Sequence, residues 1–412
     1  MPLLFGARVL VVSRETALDA PKLAHTLEQY GATIMEATPT SWRMLIESGW
    51  HGRSGLRALC GGEVLTAELS EALLERGCQL FNLYGPTETT LWSTVEPVQR
   101  GRRATVGRAV ANARLYVVDA WMQPVPVGVT GELYIGGAGV ARGYVGAPAL
   151  TAARFVPDPW SGDVGARFYR TGDLVRWRAD GRLEYQGRAD QQVKIRGHRI
   201  EPVEIEEVLN EHELVRASVV VARDGGPGLG QLLVAYFVPA RANEENLSRV
   251  LRQHLQERLP DYLVPNTFVE LAELPRTSSG KIDRRALPEP QSYAAETGTN
   301  YEAPQTPVEE VLCCMWAEVL QLEQVGINDN FFELGGHSLL ATRLLARVQN
   351  AFEVRLLLRS VFEAPTVLGM AECLFNAAGA PLRVEKMAQV LLQLSQMSDE
   401  EAEAILELQL VA

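Results

Sequence analysis

The chain has 412 residues, a length that predicts two or three domains at about 150 residues each. Its composition, 47% hydrophobic and 22% charged, is typical of a soluble globular protein. The formal net charge of −12 argues against a general nucleic-acid-binding protein. The sequence contains neither a run of 18 apolar residues nor a basic, cleavable leader, so we expect a cytoplasmic protein without a membrane partner.

The cysteines exclude two common structural roles. Their number is odd and they form no Cys-x-x-Cys pair, which fits neither a disulfide framework nor a zinc site. They are Cys60, Cys78, Cys313, Cys314 and Cys373. We predict reduced thiols that are buried in the core.

The first part of the chain alternates short apolar runs with helical patterns. The β-branched run Ala7–Ser13 predicts a buried strand, and Ala20–Tyr30 predicts a helix. Further strands are predicted at Ala32–Ala37 and Leu56–Cys60. This alternation indicates an α/β sheet. From Leu115 to Gln186, short strands and glycine-rich turns predict a small β-rich subdomain.

The pattern after Arg188 predicts a small α+β domain. Its predicted helices are Glu201–Glu211 and Glu244–Arg258, and its predicted strands are Ala217–Arg223, Leu232–Pro239 and a segment near Phe268. Residues 289–306 are rich in Pro, Ser, Thr and Glu and predict a linker.

A helical unit is predicted after the linker, and a bundle is its simplest fold. The predicted helices are Pro307–Leu320, Ser338–Ala351 and Thr366–Asn376. The later stretch Met387–Leu410 is amphipathic and acidic, and Ser398 with Glu401 forms a capping box. This stretch predicts either a linker or a docking helix for a partner.

Three polar clusters in the first half of the chain could support chemistry. Asn82–Thr90 (NLYGPTETT) offers a ring for a base, hydroxyls for phosphate oxygens and a carboxylate for Mg²⁺, although a turn before a capped helix would explain the same residues. Tyr169–Leu174 (YRTGDL) places an aspartate where it can accept ribose hydroxyls or form an Asx turn. Gly187–Glu201 interleaves basic and acidic residues; a solvated strand and turn would explain its charges but not the change of fold there.

Two further clusters lie in the second half of the chain. Thr277–Arg284 (TSSGKIDR) carries Lys281 on a short loop, where it can neutralise phosphate and carboxylate charge. It is not a Walker A loop, because the first glycine is missing. Asp329–Leu339 (DNFFELGGHSL) places Ser338 at a predicted helix start. A plain N-cap is the alternative and the G-x-S-x-G nucleophile elbow is absent, so we interpret Ser338 as an attachment point.

In their order, these segments resemble one family, the adenylation and carrier domains of non-ribosomal peptide synthetases. The matching segments are NLYGPTETT, GELYIGGAGVARGY, YRTGDL, GRADQQVKIRGHRIE, LPDYLVP, SSGKIDR and DNFFELGGHSLLATRL. The resemblance covers residues 1 to about 375. It implies a multidomain fold: an α/β adenylate-forming core truncated at its N-terminus, a small α+β C-terminal subdomain, and a helical-bundle carrier domain.

The resemblance also implies domain boundaries and a reaction. The implied domains are a partial adenylation core at 1–187, a mobile subdomain at 188–288, the linker at 289–306, a peptidyl carrier at 307–378 and an acidic linker or docking helix at 379–412. The implied enzyme activates an amino acid with ATP as aminoacyl-AMP. It then loads the amino acid as a thioester on the 4′-phosphopantetheine of its carrier.

Roles in the nucleotide site follow from the same resemblance. Tyr84 is expected to stack on adenine with Asn82 near the edge of the base, and Asp173 is expected to bind the ribose hydroxyls with Arg188 beside it. The expected catalytic and metal-binding residues are Thr87 for the α-phosphate, Glu88 for Mg²⁺, and Lys281 for the substrate carboxylate and the ribose oxygen.

The remaining roles concern movement, attachment and specificity. The resemblance implies that Asp190 is the hinge, that Gly197 lies on the loop that moves in for thioester formation, and that Ser338 bears the phosphopantetheine. The implied substrate pocket consists of Thr40, Cys60, Gly62, Leu83, Leu91 and Trp92. The bulk of Leu83 and Trp92 favours a small amino acid, with glycine the first expectation.

The expected partners are the amino acid, a phosphopantetheinyl transferase, and neighbouring synthetase domains such as a condensation or thioesterase domain. The loop that grips the β- and γ-phosphates in this family is expected upstream of Met1, so we expect the chain alone to adenylate weakly. A carrier module that is loaded in trans is the alternative. An acyl-CoA-type ligase is a third interpretation, which the fused carrier argues against.

Overall fold

The structure of the chain is a computed structural model. It describes residues 2–13, 16–17, 19–195, 197–225, 231–241, 247–289, 301–320, 322–332, 334–336 and 338–396. The described chain divides into two units, Met1–Pro202 and Val203–Ala412.

The first unit begins with a five-stranded sheet of order β1-β2-β3-β4-β5. Its strands are β1 (Ile34–Ala37), β2 (Arg57–Gly61), β3 (Gln79–Tyr84), β4 (Thr94–Pro97) and β5 (Arg108–Ala109). The first three strands are parallel, and the last two pair antiparallel. The predicted α/β sheet is therefore present.

Three helices connect these strands: α1 (Ala20–Gln29), α2 (Pro39–Glu47) and α3 (Ala67–Glu75). Each begins where a side-chain oxygen accepts from a backbone amide of the first turn. These capping residues are Asp19, Thr38 and Thr66. Trp42 and Leu45 of α2 and Leu73 of α3 are fully buried against the sheet, which holds the strand ends in place.

The predicted strand at Ala7–Ser13 is wrong. These residues are assigned neither strand nor helix, and Val9 and Val11 are 47% and 91% exposed. A β-branched run becomes a strand only when a neighbouring strand takes up its backbone hydrogen bonds, and the sheet of the described residues starts at β1 instead. The helix at Ala20 is confirmed.

A second sheet in the same unit is antiparallel and has the order β10-β9-β7-β6, with β8 paired to β9. Its strands are β6 (Ala113–Val118), β7 (Thr130–Gly137), β8 (Phe155–Pro157), β9 (Arg167–Trp177) and β10 (Leu183–Arg188), and the short helix α4 spans Pro148–Arg154. The predicted β-rich subdomain is confirmed. A two-stranded hairpin follows, formed by β11 (Val193–Ile195) and β12 (His198–Ile200).

The second unit contains the predicted α+β fold. Its elements are α5 (Pro202–Asn210), β13 (Val215–Asp224), β14 (Gln231–Pro239), α6 (Leu247–Gln256) and β15 (Thr267–Glu270). The sheet order is β13-β14-β15, and its core includes Val219, Tyr236 and Leu274. Most of the predicted linker, 290–300, lies outside the described residues.

The helical part of this unit has five helices within the described segments. They are α7 (Pro307–Leu320), α8 (Ser338–Phe352), α9 (Leu358–Glu363), α10 (Val367–Ala378) and α11 (Pro381–Gln396). They enclose one core around Trp316, Phe331 and Leu344, so the predicted bundle is confirmed. The predicted capping box at Ser398 and Glu401 lies outside the described residues.

Two composition-based expectations can be compared with this fold. Cys60, Cys78 and Cys313 are buried and Cys373 is partly buried, but Cys314 is exposed, so the prediction of buried thiols is wrong for Cys314. Cys314 lies on the outer face of an amphipathic helix, and the number and spacing of the cysteines do not indicate that face. Among the described residues, no helix is both long and apolar enough to cross a bilayer.

Candidate nucleotide site and carrier serine

The candidate site lies at the carboxyl edge of the parallel strands. β1 ends at Ala37, β2 at Gly61 and β3 at Tyr84. Parallel strands bring these ends to the same edge of a sheet, where α/β proteins commonly bind ligands. The next residue after β1, Thr38, caps α2 at this edge.

The loop after β3 has a conformation that its sequence requires. A Cβ on Gly85 would lie 2.3 Å from the carbonyl oxygen of Leu91, so only glycine fits. Thr90 and Leu91 adopt left-handed φ values of 64° and 73°, which are strained for such residues and typical of functional loops. The Thr90 hydroxyl donates to the carbonyl oxygen of Gly139 at 2.6 Å, which ties this loop to the segment after β7.

Two predicted nucleotide residues, Tyr84 and Asp173, are joined directly. The Tyr84 hydroxyl donates to Asp173 Oδ2, and Arg188 Nη1 donates to Asp173 Oδ1 at 2.9 Å. Arg188 also binds both oxygens of Asp190, the predicted hinge residue, at 2.7 Å each. Each Asp173 oxygen keeps a second lone pair, and the expected roles of Tyr84 and Asp173 toward a nucleotide stay predictions.

Two further predicted nucleotide residues, Asn82 and Thr87, differ in their exposure to solvent. Asn82 is buried, and its amide donates to the carbonyl oxygen of Thr105 at 2.7 Å. Thr87 is exposed in the single helical turn Thr87–Thr89. The expected roles of both residues toward a nucleotide stay predictions.

The Glu88 carboxylate is buried and surrounded by donors. Its Oε1 accepts from the hydroxyls of Tyr144 at 2.5 Å and Tyr169 at 2.8 Å, and Arg199 Nη1 lies 2.9 Å from both carboxylate oxygens. Burial alone would raise the pKa of Glu88, but the Tyr144 hydrogen bond and the Arg199 charge outweigh burial, so the pKa is lowered. The carboxylate is therefore charged at neutral pH.

These contacts decide whether the present arrangement fits Mg²⁺. The ion requires oxygen ligands at about 2.0–2.1 Å in an octahedron. Glu88 already accepts from three side chains, one of them a cation, and the described residues contain no cluster of three potential metal ligands. The arrangement does not fit the ion unless Arg199 withdraws.

The hairpin β11–β12 brings two further contacts to this edge. The Lys194 ammonium lies 5.4 Å from the centre of the Tyr84 ring, within the range of a cation–π contact. Burial lowers the pKa of Lys194. At the hairpin turn, a Cβ on Gly197 would lie 2.9 Å from Thr38 Cγ2, so the turn abuts the cap of α2.

The predicted pocket residues surround the ends of β2 and β3. The backbone amide and hydroxyl of Thr40 both donate to Glu63 Oε2, at 3.2 and 2.7 Å. The Trp92 ring covers Gly61, where a Cβ would meet it at 2.4 Å, whereas a Cβ on Gly62 would meet nothing closer than 3.7 Å.

The other pocket residues differ in exposure. Leu83 is buried, but Leu91 is 57% exposed. Burial, with a smaller contribution from the Glu63 charge, raises the pKa of the Cys60 thiol to about 12, so this thiol is neutral. Within the described chain, Glu63 Oε1 and Trp92 Nε1 are buried polar atoms without a hydrogen-bond partner.

The two remaining predicted residues belong to the second unit. Lys281 is exposed on a tight loop in which the Thr277 amide donates to its carbonyl oxygen at 2.7 Å. Ser338 is the first residue of α8, so the predicted helix start is confirmed, and its role as an attachment point stays a prediction. The loop before it is close-packed, because a Cβ on Gly336 would lie 2.3 Å from the backbone oxygen of Phe331.

Four residues at the site were not singled out from the sequence: Tyr144, Tyr169, Lys194 and Arg199. Each lies inside a motif that was recognised as a segment, namely GELYIGGAGVARGY, YRTGDL or GRADQQVKIRGHRIE. Tyr144, Tyr169 and Arg199 lie 56, 81 and 111 residues from Glu88 in the sequence. Only the fold reveals that they contact this carboxylate.

Comparison with protein families divides the chain into three matched regions. Residues 1–145 match the AMP-binding enzyme family, residues 204–281 match the AMP-binding enzyme C-terminal domain, and residues 310–374 match the phosphopantetheine attachment site. The fold and the matched regions define an adenylate-forming enzyme region followed by a carrier domain.

The relatives that match most of the chain are peptide synthetases. The chain is 46% identical over 401 residues to a dimodular nonribosomal peptide synthase of Bacillus subtilis (strain 168), covering 96% of this chain and 16% of that protein. It is 47% identical over 379 residues to malpibaldin synthetase of Mortierella alpina, covering 90% of this chain and 7% of that protein. The chain therefore spans a small part of these relatives.

A solved structure shares the same domain combination. It is a holo non-ribosomal peptide synthetase protein containing adenylation and PCP domains, bound to a vinylsulfonamide inhibitor. It matches with 28% identity and a TM-score of 0.66 over 91% of this chain and 60% of that chain. This chain belongs to the non-ribosomal peptide synthetase family, with an adenylation region and a phosphopantetheine carrier domain.

Proposed function

We propose that this chain transfers an amino acid from its adenylate to the phosphopantetheine on its own Ser338, within a synthetase module that uses ATP for activation. One observation supports this proposal above the others. The buried Asp173 carboxylate is held between Tyr84 and Arg188 with lone pairs left for ribose hydroxyls, in the same chain as the carrier helix.

The transfer step can be tested separately from adenylation. Preformed glycyl-AMP supplies the activated amino acid, so the assay does not depend on ATP. The holo chain should accept glycine from it. Intact-mass spectrometry would follow thioester formation over time.

Asp173→Asn provides the matched comparison. It keeps the size of the side chain but removes the charge that would receive the ribose hydroxyls, and hydrogen bonds to a charged group contribute about 1.5–3 kcal/mol. We expect loading to slow by about 10- to 100-fold. Equal rates for the two chains would favour a carrier that is loaded in trans by another enzyme.

We propose that the substrate is a small amino acid, with glycine first. The Trp92 ring against Gly61 fills one wall of the pocket, and the buried Leu83 fills another. A larger side chain would overpack these walls, at a cost of about 1–3 kcal/mol.

The same loading assay tests this specificity. Transfer from glycyl-AMP should exceed transfer from phenylalanyl-AMP by about 10- to 100-fold. Trp92→Ala should narrow the difference, because it removes the ring that covers Gly61. Preferred loading of phenylalanine by the unaltered chain would exclude the small pocket.

A further inference from the structure

The Glu63 side chain joins the end of β2 to the first turn of α2. The chain turns at Gly62, whose φ of 89° favours glycine, and Glu63 follows this turn. Its Oε2 accepts from the backbone amide of Thr40 at 3.2 Å and from the Thr40 hydroxyl at 2.7 Å. Thr40 is the second residue of α2, so its amide has no acceptor within the helix. Glu63 supplies that acceptor.

Other contacts hold the same helix on the sheet. Trp42 is fully buried, and its Nε1 donates to the carbonyl oxygen of Leu59 in β2 at 3.2 Å. In the first turn, Pro39 is buried, and the Thr38 cap acts within the helix itself. Apolar burial has no preferred direction, whereas a hydrogen bond to a carboxylate is short and directional. Glu63 therefore adds a directional contact between the first turn of α2 and the end of β2.

This contact spans two sides of the predicted amino-acid pocket. Thr40 belongs to one side, and Cys60 and Gly62 belong to the other. The Glu63 charge acts on this second side, because it contributes to the raised pKa of the Cys60 thiol. Glu63 Oε1 is buried, so the carboxylate is only partly open to solvent, which weakens its contacts less than at the surface. A shift of the first turn would change the width of the pocket at Thr40.

We propose that Glu63 is a positioning residue that sets the width of the amino-acid pocket by holding Thr40 against the end of β2. With this contact in place, the pocket accepts glycine and disfavours an added methyl group. Without it, the first turn of α2 moves away and the pocket admits alanine. This role in specificity rests on the proposed function, whereas the contact between Glu63 and Thr40 does not.

The loading preference of the holo chain tests the role in specificity. Intact-mass spectrometry would give the initial rates of loading from glycyl-AMP and from alanyl-AMP. The unaltered chain should favour glycine by on the order of tenfold, as expected for the discrimination of one methyl group. Glu63→Ala should reduce this preference to about twofold or less. A variant that was merely less stable would load both amino acids more slowly and keep the ratio, so the ratio reports positioning.

Hydrogen exchange of the full chain tests the contact independently of loading. Glu63→Ala should speed the exchange of the amides of residues 40–42 by on the order of tenfold, because the first turn loses a hydrogen bond to a charged group. Unchanged exchange in β2 and β3 would show that the unit remains folded. If the unaltered chain loaded nothing, the proposed function and the role in specificity would both fail, and the exchange rates would still decide whether Glu63 holds this turn.

Two further variants make the test specific. Glu63→Gln keeps an oxygen for both Thr40 donors and should retain most of the preference for glycine. Glu71→Ala is the matched control, because Glu71 Oε1 also accepts from a backbone amide, that of Gly101 at 2.7 Å, beyond the end of β4 that lies away from the site. It should keep both the preference and the slow exchange. An unchanged preference or unchanged exchange in Glu63→Ala, or the same changes in Glu71→Ala, would overturn the proposal.

Discussion

A Ser338→Ala chain incubated with a phosphopantetheinyl transferase and CoA should keep its mass, whereas the unaltered chain should gain one phosphopantetheine. Ser338 is the first residue of the 15-residue helix α8. The free amides and the positive dipole end at a helix N-terminus favour a bound phosphate, and alanine has no hydroxyl to receive it. Intact-mass spectrometry distinguishes the two results directly.

Ser360→Ala is the control for this experiment. Ser360 lies partly buried in the neighbouring helix α9, within the same bundle. This variant should gain the adduct as the unaltered chain does. An adduct on the Ser338→Ala chain would contradict the assignment, and hydrogen exchange in α8 would show that the variant is folded.

The elements that could be predicted are those with strong local signals. The helix predicted at Pro307–Leu320 has these bounds in the structure, because an apolar face and a proline start define it. The helix after Thr366 is likewise confirmed, since the Thr366 hydroxyl accepts from the amide of Gly369. The helix α9 was not predicted. The helix α11 (Pro381–Gln396) falls within the predicted linker or docking helix at 379–412, but its Val384 and Ala388 belong to the core of the bundle.

The wrong strand prediction at Ala7–Ser13 shows what a local sequence pattern cannot specify. A helix satisfies its backbone hydrogen bonds internally, but a strand depends on a neighbour that its own sequence does not specify. Apolar patterns in a sequence therefore predict helices more securely than they predict strands. In the same unit, the strand predicted at Ala32–Ala37 is present as β1 (Ile34–Ala37), because β2 lies beside it.

In the candidate site too, some contacts could be predicted from the sequence and others could not. The family resemblance suggested that Tyr84 and Asp173 act together, and the structure joins them by a hydrogen bond across 89 residues of sequence. It did not suggest that Arg199 would occupy Glu88, because that ion pair depends on where a hairpin docks. Motifs identify functional segments, but long-range pairing requires the fold.

A Trp316→Ala substitution should strongly destabilise the helical bundle. Trp316 is fully buried in α7, and its ring meets Phe331 edge-on with centroids 5.0 Å apart. Removing a buried tryptophan side chain loses its transfer free energy and leaves a cavity. We expect the free energy of unfolding of the bundle to fall by about 3–5 kcal/mol.

Hydrogen exchange of α7 and α8 at increasing urea concentrations would measure this loss without interference from the first unit. Trp121→Ala, at a residue that is 80% exposed, should change the free energy of unfolding by less than about 0.5 kcal/mol. Trp316→Phe should lose less than Trp316→Ala, because the smaller ring still fills much of the space. Trp316→Phe also removes Trp316 Nε1, which is buried without an acceptor among the described residues, so no hydrogen bond is lost with it. A Trp316→Ala bundle as stable as the unaltered one would show that the core does not depend on this ring.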